Sequence, residues 1–165
     1  MKKIIVFGGS GFLGSHVADK LSHSGYNVSI FDKVESHFIL DNQKMIKGNI
    51  INSEEVNKAL EDIDYVYNFA GLADIEESKK NPLGTVEQNI LGNSIILNSC
   101  INNNIKRYIF GSTVYVYSNL GSFYRISKQA CENYIEHYQQ VYNLNYTILR
   151  FGSLYGPRSD IRNGI

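Results

Sequence analysis

Short runs of β-branched and aromatic residues alternate along the chain with longer stretches in which apolar residues recur every three or four positions. The short runs predict strands and the longer stretches predict helices. We predict six strands, at residues 3–7, 27–31, 45–47, 65–69, 107–110 and 145–151. This alternation is typical of a parallel sheet whose strands are joined by right-handed crossover helices. The predicted fold class is therefore α/β, a doubly wound parallel sheet of the Rossmann type.

The intervening stretches predict amphipathic helices. The first has its apolar face at Leu13, Val17 and Leu21. The second starts at Ser53, which we predict to be its N-cap because a hydroxyl can accept a hydrogen bond from the first turn. Two longer helices are predicted over residues 86–101 and 126–141.

Composition narrows the class of protein further. The 165 residues are 43% hydrophobic, with sixteen basic and sixteen acidic residues and a formal net charge of zero. A nucleic-acid partner is not expected, because binding to phosphate backbones needs a basic excess. The longest apolar runs are far below the roughly 20 residues of a membrane span, and the chain shows no signal-peptide pattern, so we expect a cytoplasmic protein. Cys100 and Cys131 fall in predicted helices and are expected to be buried and reduced.

A glycine-rich turn joins the first predicted strand to the first helix, with Gly8, Gly11 and Gly14 at its key positions. Such a turn lets the backbone approach a pyrophosphate at a helix N-terminus. Asp32 ends the second strand about 20 residues later, as the dinucleotide-binding pattern requires. Its carboxylate would bind ribose hydroxyls and repel a 2′-phosphate, which predicts NAD, although the adjacent Lys33 leaves NADP open. The alternative is that Asp32 is a surface residue that only closes a strand.

A second group of residues suggests catalysis. Tyr124 and Lys128 are four residues apart at the start of a helix, so the phenol and the ammonium lie on one face. A tyrosine becomes a base at neutral pH only if nearby positive charge stabilises the phenolate. Thr113 follows the strand at 107–110, at the carboxyl edge of the sheet where such folds bind ligands. We predict that these three residues are catalytic, although a Tyr–Lys pair at this spacing is common on ordinary helices.

Several segments carry a family resemblance, and they occur in family order along nearly the whole chain. They are Phe7-Gly8-Gly9-Ser10-Gly11-Phe12-Leu13-Gly14-Ser15-His16, Asn68-Phe69-Ala70-Gly71, Asn89-Ile90-Leu91-Gly92, Ser112-Thr113 with Val116-Tyr117, Tyr124-x-x-x-Lys128, Leu149-Arg150-Phe151 and Tyr155-Gly156-Pro157-Arg158. The chain resembles the extended short-chain dehydrogenase/reductase family, and within it the NAD-dependent epimerases and dehydratases of nucleotide sugars.

This resemblance implies NAD as the cofactor, a nucleotide sugar as the substrate, and a homodimer formed through the helices at 86–101 and 126–141. No metal is expected, because the histidines are scattered and share no metal-ligand spacing. The resemblance makes Thr113, Tyr124 and Lys128 catalytic. The residues it implies for cofactor binding are Gly8, Gly11, Phe12, Leu13, Gly14, Asp32, Lys33, Asn49, Ile50, Phe69, Ala70, Gly71, Asn89, Lys128 and Phe151. Asn49 stands where the family usually has an aspartate.

Departures from the family pattern narrow the chemistry. Family members that eliminate water carry an Asp and a Glu directly after the threonine, whereas this chain has Val114 and Tyr115. We therefore expect an epimerase rather than a dehydratase. Ala73 replaces the lysine usual in galactose epimerases, which makes UDP-glucose or UDP-galactose itself doubtful. The alternatives are a keto-reductase or dehydrogenase of the same family, or a non-catalytic NAD-binding module.

Length bears on the domain organisation that the resemblance implies. Members of the family are usually longer than this chain, which ends soon after Tyr155-Gly156-Pro157-Arg158. In the family, a smaller lobe that binds the nucleotide diphosphate begins near this point. We therefore expect residues 1–165 to form the NAD-binding Rossmann domain and to lack most of the substrate-binding lobe.

Overall fold

Six strands form a single parallel sheet in the computed structural model of the protein, which describes residues 1–159. The strands are β1 (Lys3–Phe7), β2 (Asn27–Asp32), β3 (Gln43–Lys47), β4 (Tyr65–Asn68), β5 (Arg107–Thr113) and β6 (Tyr146–Phe151). Their order across the sheet is β3-β2-β1-β4-β5-β6, and every neighbouring pair is parallel. The predicted doubly wound Rossmann sheet is confirmed. The last residues of the predicted 1–165 domain lie outside the described part of the chain.

Helices cover both faces of this sheet. They are α1 (Phe12–His23), α2 (Ser53–Ala59), α3 (Ile75–Lys80), α4 (Pro82–Thr85), α5 (Gly92–Asn102) and α6 (Ser122–Tyr142). A π-helical turn, Val86–Leu91, joins α4 to α5, and a 3₁₀ turn, Val114–Tyr117, follows β5. Among residues 1–159, no helix has both the length and the hydropathy to cross a membrane.

Two of the helix predictions were wrong in detail. The N-cap of α2 is Asn52 rather than Ser53, because the Asn52 side chain accepts hydrogen bonds from the backbone amides of Glu54 and Glu55. The helix predicted at 86–101 is not one regular helix, since its first six residues form the π-helical turn. An amide side chain one residue earlier is an equally good N-cap, so sequence alone did not distinguish the two.

The core lies on both faces of β1 and its neighbours. On one face, Val6, Val28 and Ile30 pack with Ala18 of α1. On the other face, a larger cluster includes Ile5, Phe7, Phe31, Leu60 of the α2 C-cap and Ile96 of α5. Full burial of one such side chain contributes about 1.5–3 kcal/mol. These contacts fix the carboxyl ends of β1 and β4, where the strand order reverses and ligands bind in such sheets.

Both cysteines belong to this packing and not to a disulfide. Cys100 and Cys131 are free and buried, as predicted. Burial raises the pKa of the Cys131 thiol to about 11, and it also raises the pKa of Cys100. Both thiols are therefore protonated and unreactive at neutral pH.

Candidate active site

The glycine-rich turn after β1 is held too tightly for any side chain. Gly8 has a φ of +74°, and its amide donates to the Phe31 carbonyl at 2.9 Å. A Cβ atom on Gly8 would lie 2.6 Å from the Ala70 nitrogen, and one on Gly14 would lie 2.2 Å from the Gly8 oxygen. Real Cβ atoms do not approach backbone atoms so closely, so these glycines bring β1, α1 and the end of β4 together. The backbone amides at the start of α1 are thereby placed beside the cleft.

Asp32 at the end of β2 braces this turn. Its Oδ2 accepts a hydrogen bond from the Ser10 amide at 3.1 Å, and its Oδ1 accepts one from the Val34 amide at 3.2 Å. The Ser10 hydroxyl donates in turn to the Val34 carbonyl at 2.7 Å. The carboxylate is thus fixed at the carboxyl edge of the sheet, with lone pairs left for a further donor.

An open cleft of about 830 Å³ lies between these elements. The predicted cofactor residues that line it are Gly8, Gly11, Asp32, Lys33, Asn49, Ile50, Phe69, Ala70 and Gly71. The predicted cofactor residues that do not line it are Phe12, Leu13, Gly14, Asn89, Lys128 and Phe151. Gly14 shapes the turn from beneath, and the Phe151 ring lies 6.4 Å from the ring of Phe69. The cleft is therefore lined by residues at or just after the carboxyl ends of β1, β2, β3 and β4.

Sequence reasoning missed the acidic wall of the cleft. The wall comes from Asp74, Glu76 and Glu77 at the start of α3, and two basic residues, Lys33 and Lys80, also line the cleft. The α3 helix starts at an Asp74 N-cap, whose Oδ1 accepts a hydrogen bond from the Glu77 amide at 2.7 Å. An aspartate followed three residues later by a glutamate is a recognisable helix start, so the signal was present in the sequence.

Asn89 shapes the cleft without lining it. In the π-helical turn, its side chain accepts a hydrogen bond from the Leu72 amide at 2.6 Å and donates to the Leu72 carbonyl at 3.0 Å. It also donates to the Ser127 hydroxyl at 2.8 Å, on the helix that carries Tyr124 and Lys128. One amide therefore fixes the wall of the cleft relative to α6.

Thr113, Tyr124 and Lys128 meet where β5 ends and α6 begins. Lys128 is buried, and its Nζ donates to the Gly111 carbonyl at 2.7 Å and lies 5.8 Å from the centre of the Tyr124 ring. Burial lowers the pKa of Lys128 to about 8. The Tyr124 phenol also contacts the Thr113 side chain, so these three predicted residues lie close together.

The acid–base state of Tyr124 differs from what the Tyr–Lys pair alone suggests. Burial raises the pKa of the phenol, while a hydrogen bond from Thr113 opposes the shift. On these side chains alone, the phenol is protonated at neutral pH. A further positive charge must therefore reach the phenol before it can act as a base.

An ionic network with one buried and one partly exposed partner connects the elements that carry this group. Glu132, one turn after Lys128, accepts a hydrogen bond from the Ser112 hydroxyl at 2.5 Å. Its carboxylate also accepts two charged hydrogen bonds from Arg150, from Nε at 3.0 Å and from Nη2 at 2.7 Å. Arg150 Nη1 donates to the Tyr117 hydroxyl. The network ties α6 to β5 and β6 through Ser112, the residue before Thr113.

Comparison with known proteins agrees with this geometry. The chain is 31% identical to a putative UDP-glucose 4-epimerase of Methanocaldococcus jannaschii, over 95% of this chain and 57% of that protein. It is 29% identical to a dTDP-D-glucose 4,6-dehydratase of Dictyostelium discoideum, over 96% of this chain and 45% of that protein. The solved structure of a UDP-glucose 4-epimerase of Thermus thermophilus, in complex with NAD, superposes with a TM-score of 0.90 at 28% identity, covering 96% of this chain and 57% of that one.

These relatives are longer proteins, and the chain spans about half of their length. The sequence model of the NAD-dependent epimerase/dehydratase family matches residues 4–164. That match covers the glycine-rich turn, the cleft and the Thr113, Tyr124 and Lys128 group together. The chain therefore belongs to the NAD-dependent epimerase/dehydratase family of enzymes.

Proposed function

We propose that this chain is the cofactor-binding part of an NAD-dependent nucleotide-sugar epimerase, with Thr113, Tyr124 and Lys128 as its catalytic residues. The observation that carries this proposal is the meeting of these three side chains at the end of β5, where Gly111, the acceptor of the Lys128 ammonium, packs against Phe69 of the cleft lining. The substrate-binding lobe would come from residues beyond this chain.

The cleft fits NAD by volume, backbone and charge. Its volume of about 830 Å³ lies within the range of cofactor sites. Gly8 and Gly11 leave room for a pyrophosphate against the backbone at the start of α1. Asp32 would accept hydrogen bonds from the adenosine ribose, and its negative charge disfavours the 2′-phosphate of NADP. Asn49 and Ile50 would line the adenine.

Four further predicted residues extend the proposed cofactor site. Phe69, Ala70 and Gly71 would lie along the middle of the dinucleotide, on a segment whose shape Asn89 maintains. Lys128 would reach the nicotinamide ribose from below, where its ammonium already lies against the Tyr124 ring.

Each catalytic side chain then has a distinct task. NAD, when bound, supplies a hydride acceptor that can return the hydride to the sugar ring. Tyr124 removes the proton from the sugar hydroxyl and later gives it back. Thr113 hydrogen-bonds the same hydroxyl and orients it. Lys128, with a pKa of about 8, is mainly cationic at neutral pH, and its charge lowers the cost of the phenolate.

Epimerisation is favoured over dehydration by the residues after Thr113. Elimination of water needs an additional acid and base near the ring. Val114 is exposed and Tyr115 is half-buried on the 3₁₀ turn, and neither carries a carboxyl group. The reversible oxidation of a ring carbon needs neither.

A second copy of the chain would cover the apolar face of α6. Ile126, Tyr134, Val141 and Tyr142 recur at helical spacing and are about half exposed. We propose that this face forms a homodimer. A dimeric mass in solution that becomes monomeric when Tyr134 and Val141 are changed to Glu supports this face, whereas a monomeric wild-type protein contradicts it.

Cofactor binding and base chemistry can be tested separately. We expect the purified protein to bind NAD⁺ more tightly than NADP⁺ in calorimetric titrations, and Asp32→Ser to reduce this preference. Failure of the folded protein to bind NAD⁺ would refute the cofactor assignment.

The base is tested with Tyr124→Phe. This variant should keep the NAD⁺ affinity of the wild type, because the phenol hydroxyl is not needed for the cofactor contacts proposed above. In a protein that also contains a substrate-binding lobe, Tyr124→Phe should lower the rate at which a UDP-hexose is converted to its 4-epimer to the background rate. Equal conversion by Tyr124→Phe and the wild type contradicts the proposed role of Tyr124.

A further inference from the structure

Asp19 of α1 joins three distant parts of the chain. Its Oδ2 accepts a hydrogen bond from Arg158 Nη2 at 2.7 Å, and its Oδ1 accepts one from Gln43 Nε2 at 3.1 Å. The two charged side chains are 15% and 22% exposed, so the ion pair is largely shielded from water. The contact with Arg158 spans 139 positions of sequence.

The segment that carries Arg158 is itself fixed against α1. The ring of His16 hydrogen-bonds through Nε2 to the Pro157 carbonyl at 2.8 Å. The Ser159 hydroxyl donates to the Gly156 carbonyl at 2.7 Å and closes a turn around Arg158. The Arg158 guanidinium therefore has a defined position rather than a free surface.

That guanidinium lies over the ring of Phe38, 4.5 Å from its centre. Phe38 is in the middle of the loop at 33–42, which joins β2 to β3. The loop starts directly after Asp32, where the Ser10 hydroxyl holds Val34, and it ends at Gln43, which Asp19 holds. The contact between Phe38 and Arg158 thus holds the middle of this loop.

We propose that Arg158 is a positioning residue for the adenosine end of the cofactor site, acting through Phe38 and Asp19. The loop at 33–42 supplies Lys33 to the cleft lining and follows the residue proposed to bind the ribose. Because the loop is already fixed before the cofactor binds, the entropic cost of ordering the loop on binding is smaller. This inference rests on the proposed binding of NAD.

The positioning role of Arg158 can be tested with AMP and nicotinamide mononucleotide, the two halves of the dinucleotide. Arg158→Ala should raise the dissociation constants of NAD⁺ and of AMP by the same factor, about threefold to tenfold, as expected for one shielded ion pair and one cation–π contact. The dissociation constant of nicotinamide mononucleotide should not change, because the nicotinamide end is proposed to lie beside Lys128 of α6 and not beside this loop. Arg158→Lys, which keeps a charge for Asp19, should restore part of the affinity.

Controls separate positioning from general stability. Lys106→Ala removes an ion pair with Asp64 at 2.5 Å on the opposite edge of the sheet and should leave all three affinities unchanged. Phe38→Leu keeps the Arg158–Asp19 pair and should lower the affinity for AMP, as Arg158→Ala does. The role of the Arg158–Phe38 contact is therefore tested even if Arg158→Ala does not fold.

The outcomes are distinguishable. Wild-type protein that binds no NAD⁺ overturns the proposed function itself. Wild-type protein that binds NAD⁺, with variants at Arg158 and Phe38 that bind AMP equally well, overturns only the positioning role. An equal loss of affinity for AMP and for nicotinamide mononucleotide in these variants also overturns the positioning role, since that result indicates a general loss of structure.

Discussion

Replacing Glu132 with alanine should destabilise the protein strongly. The carboxylate is 8% exposed and holds the Ser112 hydroxyl and the Arg150 guanidinium. Hydrogen bonds to charged groups contribute about 1.5–3 kcal/mol each, and removal of one member of a buried ion pair costs about 3–5 kcal/mol. The Arg150 side chain is 34% exposed and can recover part of its hydration. We therefore expect a loss of about 3 kcal/mol in the free energy of unfolding.

Urea denaturation followed by circular dichroism measures this loss directly. The melting temperature should fall by about 6–12 °C, at roughly 2–4 °C per kcal/mol for a chain of this size. Glu136→Ala, one turn further along α6 and exposed, is the matched control and should change stability by less than about 0.5 kcal/mol. Glu132→Gln keeps the side-chain volume and a hydrogen-bond acceptor, so its loss in the free energy of unfolding should lie between those of Glu132→Ala and Glu136→Ala. A Glu132→Ala loss no larger than that of the control would refute the stabilising role of the network.

Three further predictions follow from local geometry. Gly14→Ala should cost about 1–3 kcal/mol in thermal denaturation, because its Cβ would meet the Gly8 oxygen at 2.2 Å. Asn52→Ala should cost about 1 kcal/mol, and Ser53→Ala much less, if Asn52 is the N-cap of α2. The pKa of Lys128 is lowered from 10.5 to about 8, so the unfolded chain holds this proton more tightly and stability should rise from pH 8 to pH 10.5. Lys128→Met should not show this rise. An identical slope of unfolding free energy against pH in the variant and the wild type would contradict the lowered pKa of Lys128.

The sheet was predictable because its signals are local. Five of the six strands are short runs rich in apolar residues, and helical spacing between most of them favours a parallel arrangement. The exception is β3, which carries two lysines and follows β2 without an intervening helix. The ends were less certain: β5 continues to Thr113, three residues beyond the predicted end, because it pairs with β6 up to Phe151. The π-helical turn has no sequence signal of its own, since it depends on the contacts that Asn89 makes with Leu72 and Ser127.

The candidate site was predictable where residues form short motifs. Gly8, Gly11 and Asp32 are such cases, and the structure places all three around one cleft. The attachment of Arg158 to Asp19 was not predictable, because a contact across 139 positions leaves no local pattern. The pKa of Tyr124 could not be foreseen either, since the direction of its shift is set mainly by burial in the folded chain.

The hydrogen bonds of Asp32 have a consequence for attempts to redesign cofactor preference. The carboxylate that we propose to discriminate against an extra phosphate is also the acceptor that holds the Ser10 and Val34 amides in place. A substitution that admits the larger nucleotide by removing this acceptor therefore also loosens the glycine-rich turn. A successful redesign must supply a neutral acceptor at position 32, such as serine or asparagine, and place the new positive charge further along the loop.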